Sequence, residues 1–232
     1  MSNVGFNSSN LNNPQDMGQQ YGQTPYSRPQ RFVATYQYDL PFKAEGVLNK
    51  FVQGWGAMGS TIIQSGNPLT FWDTRGETIY GMVTGTYEKG MSHAQLCPGV
   101  TADQIETKGS VKNRLGRTGD PNAPRFFNTA AFCAPPDIGD GKDFGNSGVG
   151  IVRGPGQANF DFSLTKMTRI GEKQSVQFRT EFFNLFNHPQ FAIPGSVAGN
   201  QTLYANNAAL FGVITSTSVN PRLIQFALRY QF

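Results

Sequence analysis

Long apolar runs are what this sequence most clearly lacks. No stretch approaches the roughly 18 apolar residues that a membrane-spanning helix needs, and this excludes a helical membrane protein. Charge is also scarce, because Asp, Glu, Lys and Arg together make up only 15% of the 232 residues. The mean hydropathy of −0.38 still permits strands that alternate apolar and polar side chains across a membrane.

Clustered charge and clustered metal ligands are absent as well. The net charge is +4, but Lys and Arg are scattered, so we expect no nucleic-acid partner. The only histidines, His93 and His188, lack ligand spacing, and we expect no metal or cofactor. Residues Gly145–Val149 approach the nucleophile-elbow pattern but end in Val, without strand–turn–helix context. The sequence therefore predicts no enzyme activity.

The start of the sequence lacks the apolar segment of a secretion signal. Met1 is followed by a polar stretch, whereas exported proteins begin with an apolar core region. For an exported protein, we expect that the signal lies upstream in a longer chain, or that this is a truncated reading frame.

Aromatic residues and glycine, in contrast, are plentiful. The chain has 19 Phe and 27 Gly, which suits a β-rich protein whose aromatic side chains face something other than water. Apart from Val33, residues 31–40 alternate between apolar and polar side chains, and this period of two predicts a strand. The residues on its apolar face are Phe32, Ala34, Tyr36, Tyr38 and Leu40.

Four further strands are predicted, at 53–64, 158–169, 175–186 and 222–232, with a short helical turn at 44–52. The intervening stretches are rich in Gly, Pro, Asn and Asp, which favour turns. The predicted organisation is a loop at 1–30, a hairpin at 31–64, a long loop at 65–156, and C-terminal strands at 157–232 that enclose a second loop at 188–221.

The closing strand has the most regular pattern. Its apolar stripe alternates with Gln225, Arg229 and Gln231 and ends at the last residue. Taken alone, this pattern is equally typical of a half-buried final strand in a soluble sheet and of the recognition strand of an outer-membrane barrel. The residues of the stripe are Ile224, Phe226, Leu228, Tyr230 and Phe232.

Nine segments resemble the C-terminal part of TonB-dependent outer-membrane receptors that carry a carboxypeptidase-regulatory-like domain, a type common in acidobacteria. The most specific is Phe178–Phe191. A signal peptide, a TonB box and a plug domain, which such receptors have, are not in this sequence. The other segments are Arg28–Phe32, Tyr38–Pro41, Gly54–Trp55, Gln64–Gly66, Leu96–Gly99, Phe132–Cys133, Arg153–Gln157 and Asn220–Phe226.

The resemblance implies an all-β fold: an antiparallel transmembrane β-barrel segment with about five long strands of a larger barrel and long extracellular loops. It implies ligand uptake across the bacterial outer membrane. The implied partners are outer-membrane lipid, the barrel-assembly machinery, and a plug domain and TonB that act through an N-terminal part. The alternative is a soluble β-rich surface or ligand-binding protein.

Strand direction agrees with the barrel interpretation. If the last strand runs towards the periplasm, both long loops fall outside the cell and both short links fall inside, as outer-membrane barrels require. The apolar stripe of 222–232 then faces lipid, and Arg179, Glu181 and Arg229 face the lumen. We interpret Arg179 and Glu181 as part of a charge network that braces the wall, in preference to substrate contacts.

The chain has only two cysteines, Cys97 and Cys133, and both lie in the long loop 65–156. Outside the cell, oxidising conditions allow a disulfide between them. The alternative is two unrelated free thiols. Because we expect the long loop to have little core of its own, a cross-link would limit its freedom.

Overall fold

The computed structural model describes residues 13, 16–73, 75, 92–120, 122–195, 202–204 and 210–232, with 202–204 described as backbone only. Contacts divide the chain into two compact units. The sheet unit comprises 30–64, 156–190 and 217–232, and the connector unit comprises the described residues within 1–29, 65–155 and 191–216.

Most regular structure in the described residues is β, with short 3₁₀ turns at Met17–Gln20, Ala102–Gln104, Val111–Asn113 and Thr129–Ala131. The strands, in chain order, are β1 (Arg31–Asp39), β2 (Trp55–Gln64), β3 (Pro68–Asp73), β4 (Ser92–His93), β5 (Gln95–Leu96), β6 (Phe132–Cys133), β7 (Asp137–Ile138), β8 (Gly141–Lys142), β9 (Val152–Arg153), β10 (Gln157–Arg169), β11 (Ser175–Phe183), β12 (Thr202–Tyr204) and β13 (Leu223–Gln231).

The sheet unit is one five-stranded sheet in the order β1-β2-β10-β11-β13. Every neighbouring pair is antiparallel. The five strands lie side by side in the same order as they occur along the chain. The fold class is all-β and antiparallel. Within the described residues, β1 and β13 each pair on one side only, so the sheet is not closed into a barrel.

The connections between the strands of this sheet alternate between short and long. Because neighbouring strands run in opposite directions, the short connections share one end of the sheet and the long ones share the other. The links 40–54 and 170–174 lie at one end of the sheet, and the long connections 65–156 and 184–222 leave from the other end. The link 40–54 contains the predicted helical turn, as a 3₁₀ turn at Gly46–Leu48 followed by α1 (Asn49–Val52). Within the described residues, no helix has the length and apolar character to cross a membrane.

Strand β11 ends at Phe183, three residues before the predicted end at 186. The reason is Asn184, whose φ of 53° lies in the left-handed region and turns the chain out of the sheet. Asparagine tolerates this conformation better than most residues do. The alternation of apolar residues alone does not show where such a turn begins.

The connector unit has a hydrophobic core, and the expectation that this region has little core of its own was wrong. Four phenylalanines, Phe71, Phe127, Phe132 and Phe211, pack with ring centroids 4.7–6.1 Å apart. Buried aliphatic side chains surround them. These are Leu69, Ala94, Ile105, Ala131, Val152 and Ile214.

Residues 211–215, Phe-Gly-Val-Ile-Thr, lie in the predicted loop 188–221 and have a composition that favours strands, but they do not form one. Gly212 has a φ of 78°, which interrupts extended backbone after one residue. The flanking Phe211 and Ile214 are nonetheless buried, and the Ile214 amide donates to the Leu115 carbonyl at 2.7 Å. The piece therefore contributes to the connector core through isolated backbone contacts.

Candidate functional surfaces

The register of the sheet gathers the apolar stripes of all five strands on one face, called here the apolar face. Phe162 lies between Gly59 and Phe182, and Thr180 lies opposite Phe226. Side chains alternate between faces along each strand, so these pairings fix the whole set. Its large apolar members are Phe32, Tyr36, Tyr38, Trp55, Ile63, Phe160, Phe162, Leu164, Val176, Phe178, Phe182, Ile224, Phe226, Leu228 and Tyr230.

Many side chains of this face, together with the terminal Phe232, are largely exposed. Phe226, Leu228 and Phe232 are 67%, 75% and 93% exposed. Water-soluble monomers rarely expose apolar patches of this extent, whereas the outer face of a membrane barrel is an apolar band. The face is therefore suited to contact with lipid.

Aromatic rings cover the ladder between strands on the apolar face. Phe178 and Phe226 stack across β11 and β13 with centroids 6.2 Å apart. The ring of Tyr36 lies over Gly59, where an added Cβ atom would approach the tyrosine hydroxyl oxygen to 2.6 Å. Glycine at this position lets the ring lie flat against the backbone of β2.

The opposite face of the sheet is mainly polar, and it includes the three predicted lumen-facing charges. Arg179 Nε lies 3.5 Å from Glu181 Oε1. Arg229 lies on the same face opposite Gln177 and forms no ion pair within the described residues. A partly exposed ion pair of this kind contributes roughly 0–1 kcal/mol to the stability of the fold. The main effect of these charges is therefore to keep this face hydrated.

A turn built on asparagines closes the sheet at the end of the long connections. The Asn184 side chain accepts a hydrogen bond from the His188 N–H at 2.9 Å and donates to the His188 and Asn220 carbonyls at 3.1 and 3.3 Å. Asn187, also at positive φ (50°), accepts from the Arg222 N–H at 2.9 Å. This turn lies within Phe178–Phe191, the most specific segment of the sequence.

The connector unit contains a disulfide between Cys97 and Cys133, whose Cα atoms are 4.9 Å apart. The two strands beside it, β5 and β6, pair Leu96 with Phe132. Since Phe132 belongs to the phenylalanine cluster, the disulfide fastens this cluster to the segment that follows β5. The two cysteines are the pair predicted from the sequence.

The segment Gly145–Val149 has a structural role. Ser147 is fully buried, and its hydroxyl donates to the Phe71 carbonyl at 3.4 Å, so it is not presented to a substrate. Gly145 lies against β4, where a Cβ atom would come within 2.0 Å of the His93 carbonyl. Glycine is required there because the two backbones approach closely.

His93 is fully buried in the connector unit and lies edge-to-face with Trp72, with centroids 4.7 Å apart. Burial lowers the pKa of His93 to about 4, and a hydrogen bond with the Ser147 backbone opposes this effect. The imidazole is therefore neutral at pH 7. Within the described residues, no group of three or more His, Cys, Asp or Glu side chains could hold a metal ion.

A polar cleft of about 470 Å³ in the connector unit is lined partly by Lys108, Arg114 and Arg125. Arg114 is already engaged: it donates to the Phe126 carbonyl at 3.0 Å, and its guanidinium lies 4.5 Å from the Phe126 ring centroid. Burial lowers the pKa of Arg114 and the charge of Glu106 opposes this, but an arginine stays cationic. These contacts hold the Arg114 guanidinium against Phe126 and leave little of it for a ligand.

An antiparallel sheet with one exposed apolar face, one polar face and all long connections at one end defines the chain as an outer-membrane barrel protein by architecture. The comparison with protein families agrees, because the model for an outer membrane beta barrel domain matches residues 1–225. The chain belongs to this family and is located in the bacterial outer membrane. No curated protein and no solved structure matches it.

Proposed function

We propose that this chain forms part of the wall of a TonB-dependent receptor that takes up a ligand across the outer membrane. The observation that supports this most is the segment Phe178–Phe191, which resembles such receptors and builds the asparagine turn. Polar residues along one face, including Arg179 and Glu181, then line the lumen.

The connector unit fits the outside of such a receptor. Both long connections leave the same end of the sheet, and outer-membrane barrels place long loops outside the cell. A disulfide between Cys97 and Cys133 suits an oxidising compartment. The proposal assigns ligand access to this side and requires no enzymatic step.

The partners follow from the same proposal. The apolar face contacts outer-membrane lipid, and the barrel-assembly machinery reads β13 with Phe232. A plug domain closes the lumen, and TonB acts on it through the N-terminal part of the receptor. The proposal includes no nucleic acid.

The test uses the protein purified from outer membranes as the host makes it, with the soluble periplasmic domain of TonB as the probe. We expect the probe to bind the receptor, and we expect no steady ion conductance in planar bilayers because the plug closes the lumen. Steady conductance without binding of the probe would identify a passive pore and refute the proposal.

A further inference from the structure

Lys166 is a charged residue on the apolar face, where the register sets it opposite Trp55. Its side chain is only 8% exposed. Its ammonium group donates to the carbonyls of Lys50 at 2.9 Å, of Met167 at 3.2 Å, and of Gln53. On the lipid side of a barrel, a lysine is strongly destabilising at the bilayer midplane and far less so near the interface. Lys166 therefore belongs at the edge of the bilayer.

Trp55, which also lies on the apolar face, binds the same link between β1 and β2, residues 40–54. Its indole Nε1 donates to the Phe51 carbonyl at 3.0 Å. Two neighbouring side chains of the apolar face thus bind backbone carbonyls of residues 50–53. These contacts place that part of the link on the side of the sheet that bears the apolar face.

The link itself presents apolar side chains outward. Val47, Leu48 and Phe51 are 74%, 68% and 70% exposed. Beside them Lys50, also exposed, supplies a positive charge. Apolar side chains together with lysine and tryptophan are typical of segments that lie in the interface of a phospholipid bilayer.

We propose that residues 46–53, the interface segment, form a lipid anchor that inserts Val47, Leu48 and Phe51 into the phospholipid leaflet at this end of the barrel. The two lysines have different roles: the Lys50 ammonium group binds lipid phosphates, and Lys166 attaches the segment to the barrel wall. The occupant is lipid because the segment continues the apolar face, which in this family contacts the bilayer. The anchor goes beyond the proposed uptake function, since it applies to any barrel with this wall.

The test places a nitroxide spin label on Leu48→Cys in the protein as the host makes it, reconstituted in phospholipid vesicles. The native cysteines are bonded to each other, so the new thiol is the one that reacts. The matched control is Lys173→Cys, an exposed position in the other short link at the same end of the sheet. Oxygen, which concentrates in lipid, and a water-soluble nickel chelate serve as collision probes.

We expect the ratio of oxygen to nickel accessibility to be high at position 48 and reversed at position 173. High nickel accessibility at 48 would show a segment in water, and low accessibility to both probes would show a segment covered by protein. Either result would overturn the proposal. Neither depends on TonB, so failure of the anchor and failure of the uptake function are distinguishable.

A second variant tests the role of Lys166. Lys166→Met keeps an apolar stem of similar length but removes all three hydrogen bonds to the carbonyls. We expect the oxygen-to-nickel ratio at position 48 to fall towards that of position 173 in this background. An unchanged ratio would show that Lys166 does not hold the segment.

Discussion

The amide of Asn184 binds both backbone groups of His188, with its oxygen 2.9 Å from the His188 nitrogen and its nitrogen 3.1 Å from the His188 oxygen. Through these two hydrogen bonds, Asn184 both ends β11 and begins the turn. Because the Asn184 side chain is also buried, no water is available to replace a lost partner.

Two substitutions separate the contributions of Asn184. Asn184→Gly removes the side-chain hydrogen bonds but permits the φ of 53°, whereas Asn184→Ala removes the bonds and also strains the backbone. We expect both variants to be destabilised, and alanine to cost about 1–2 kcal/mol more than glycine. Urea unfolding in lipid vesicles measures this difference. Equal stability of the two variants would contradict the assigned role of the backbone.

Neighbouring positions on β13 test the assignment of the two faces. Phe226→Arg places a charge on the apolar face, and the control Gln225→Arg places the same charge on the polar face one residue away. We expect Phe226→Arg to cost roughly 2–4 kcal/mol in a bilayer and Gln225→Arg to cost far less. The measurement is the free energy of unfolding in vesicles, and a reversed order would exchange the lipid and lumen faces.

The last residue provides a test of assembly. Phe232 is 93% exposed and stacks on Tyr230, at 5.8 Å between centroids. We expect Phe232→Ala to lower the amount of folded protein in the outer membrane with little change in stability once folded. Ile170→Ala, an exposed apolar position at the same end of the sheet, is the control. Normal amounts of the Phe232 variant would argue against recognition of the terminus.

Removal of the disulfide tests the connector unit. The cysteines are 36 positions apart in sequence. A disulfide that closes such a loop lowers the conformational entropy of the unfolded chain and so stabilises the folded state by about 3–4 kcal/mol. We expect the double variant Cys97→Ser/Cys133→Ser to be cleaved faster by proteases within the connector unit while the sheet unit persists. Mass spectrometry of the native protein without reductant should find no free thiol, and two free thiols would refute the bridge.

We expect His93 to make the connector unit sensitive to acid. Because its folded pKa is about 4 and an unfolded histidine has a pKa near 6.5, the unfolded state binds more protons between these values. The contribution to stability is therefore complete above about pH 6.5, and up to about 3 kcal/mol is lost as the pH falls towards 4. Hydrogen exchange in the connector unit should accelerate in this window, and much less so in His93→Gln. Equal acceleration in both proteins would exclude His93 as the cause.

The sequence predicts the sheet unit well because most of its strands have their own period of two, although the Gly-rich β2 alternates less clearly. The alternation of Phe226, Leu228 and Tyr230, for example, defines a face without any knowledge of the neighbours. About five antiparallel strands in an all-β outer-membrane fold were predicted, and the structure and the family comparison confirm them.

The connector unit was not predictable in the same way. Its core joins Phe71, the nearby Phe127 and Phe132, and Phe211, which come from three separate stretches of the sequence. Of these, Phe71 and Phe132 lie in strands, and Phe127 and Phe211 do not. No sequence period connects these residues, so the glycine- and proline-rich composition of the region predicts a loop. The role of Lys166 was likewise hidden, because its partners are backbone carbonyls of a distant link.

The pairing of β11 with β13 has two independent controls on its alignment. A shift of one residue would turn Arg229 and Gln225 towards lipid, so the membrane selects the parity of the pairing. A shift of two residues would leave every side chain on its present face, so the membrane would not disfavour it. The Arg222 amide, bound to Asn187, and the Asn220 carbonyl, bound to Asn184, fix where β13 begins relative to the end of β11. The bilayer thus sets the parity of this ladder, and the two asparagines set its phase.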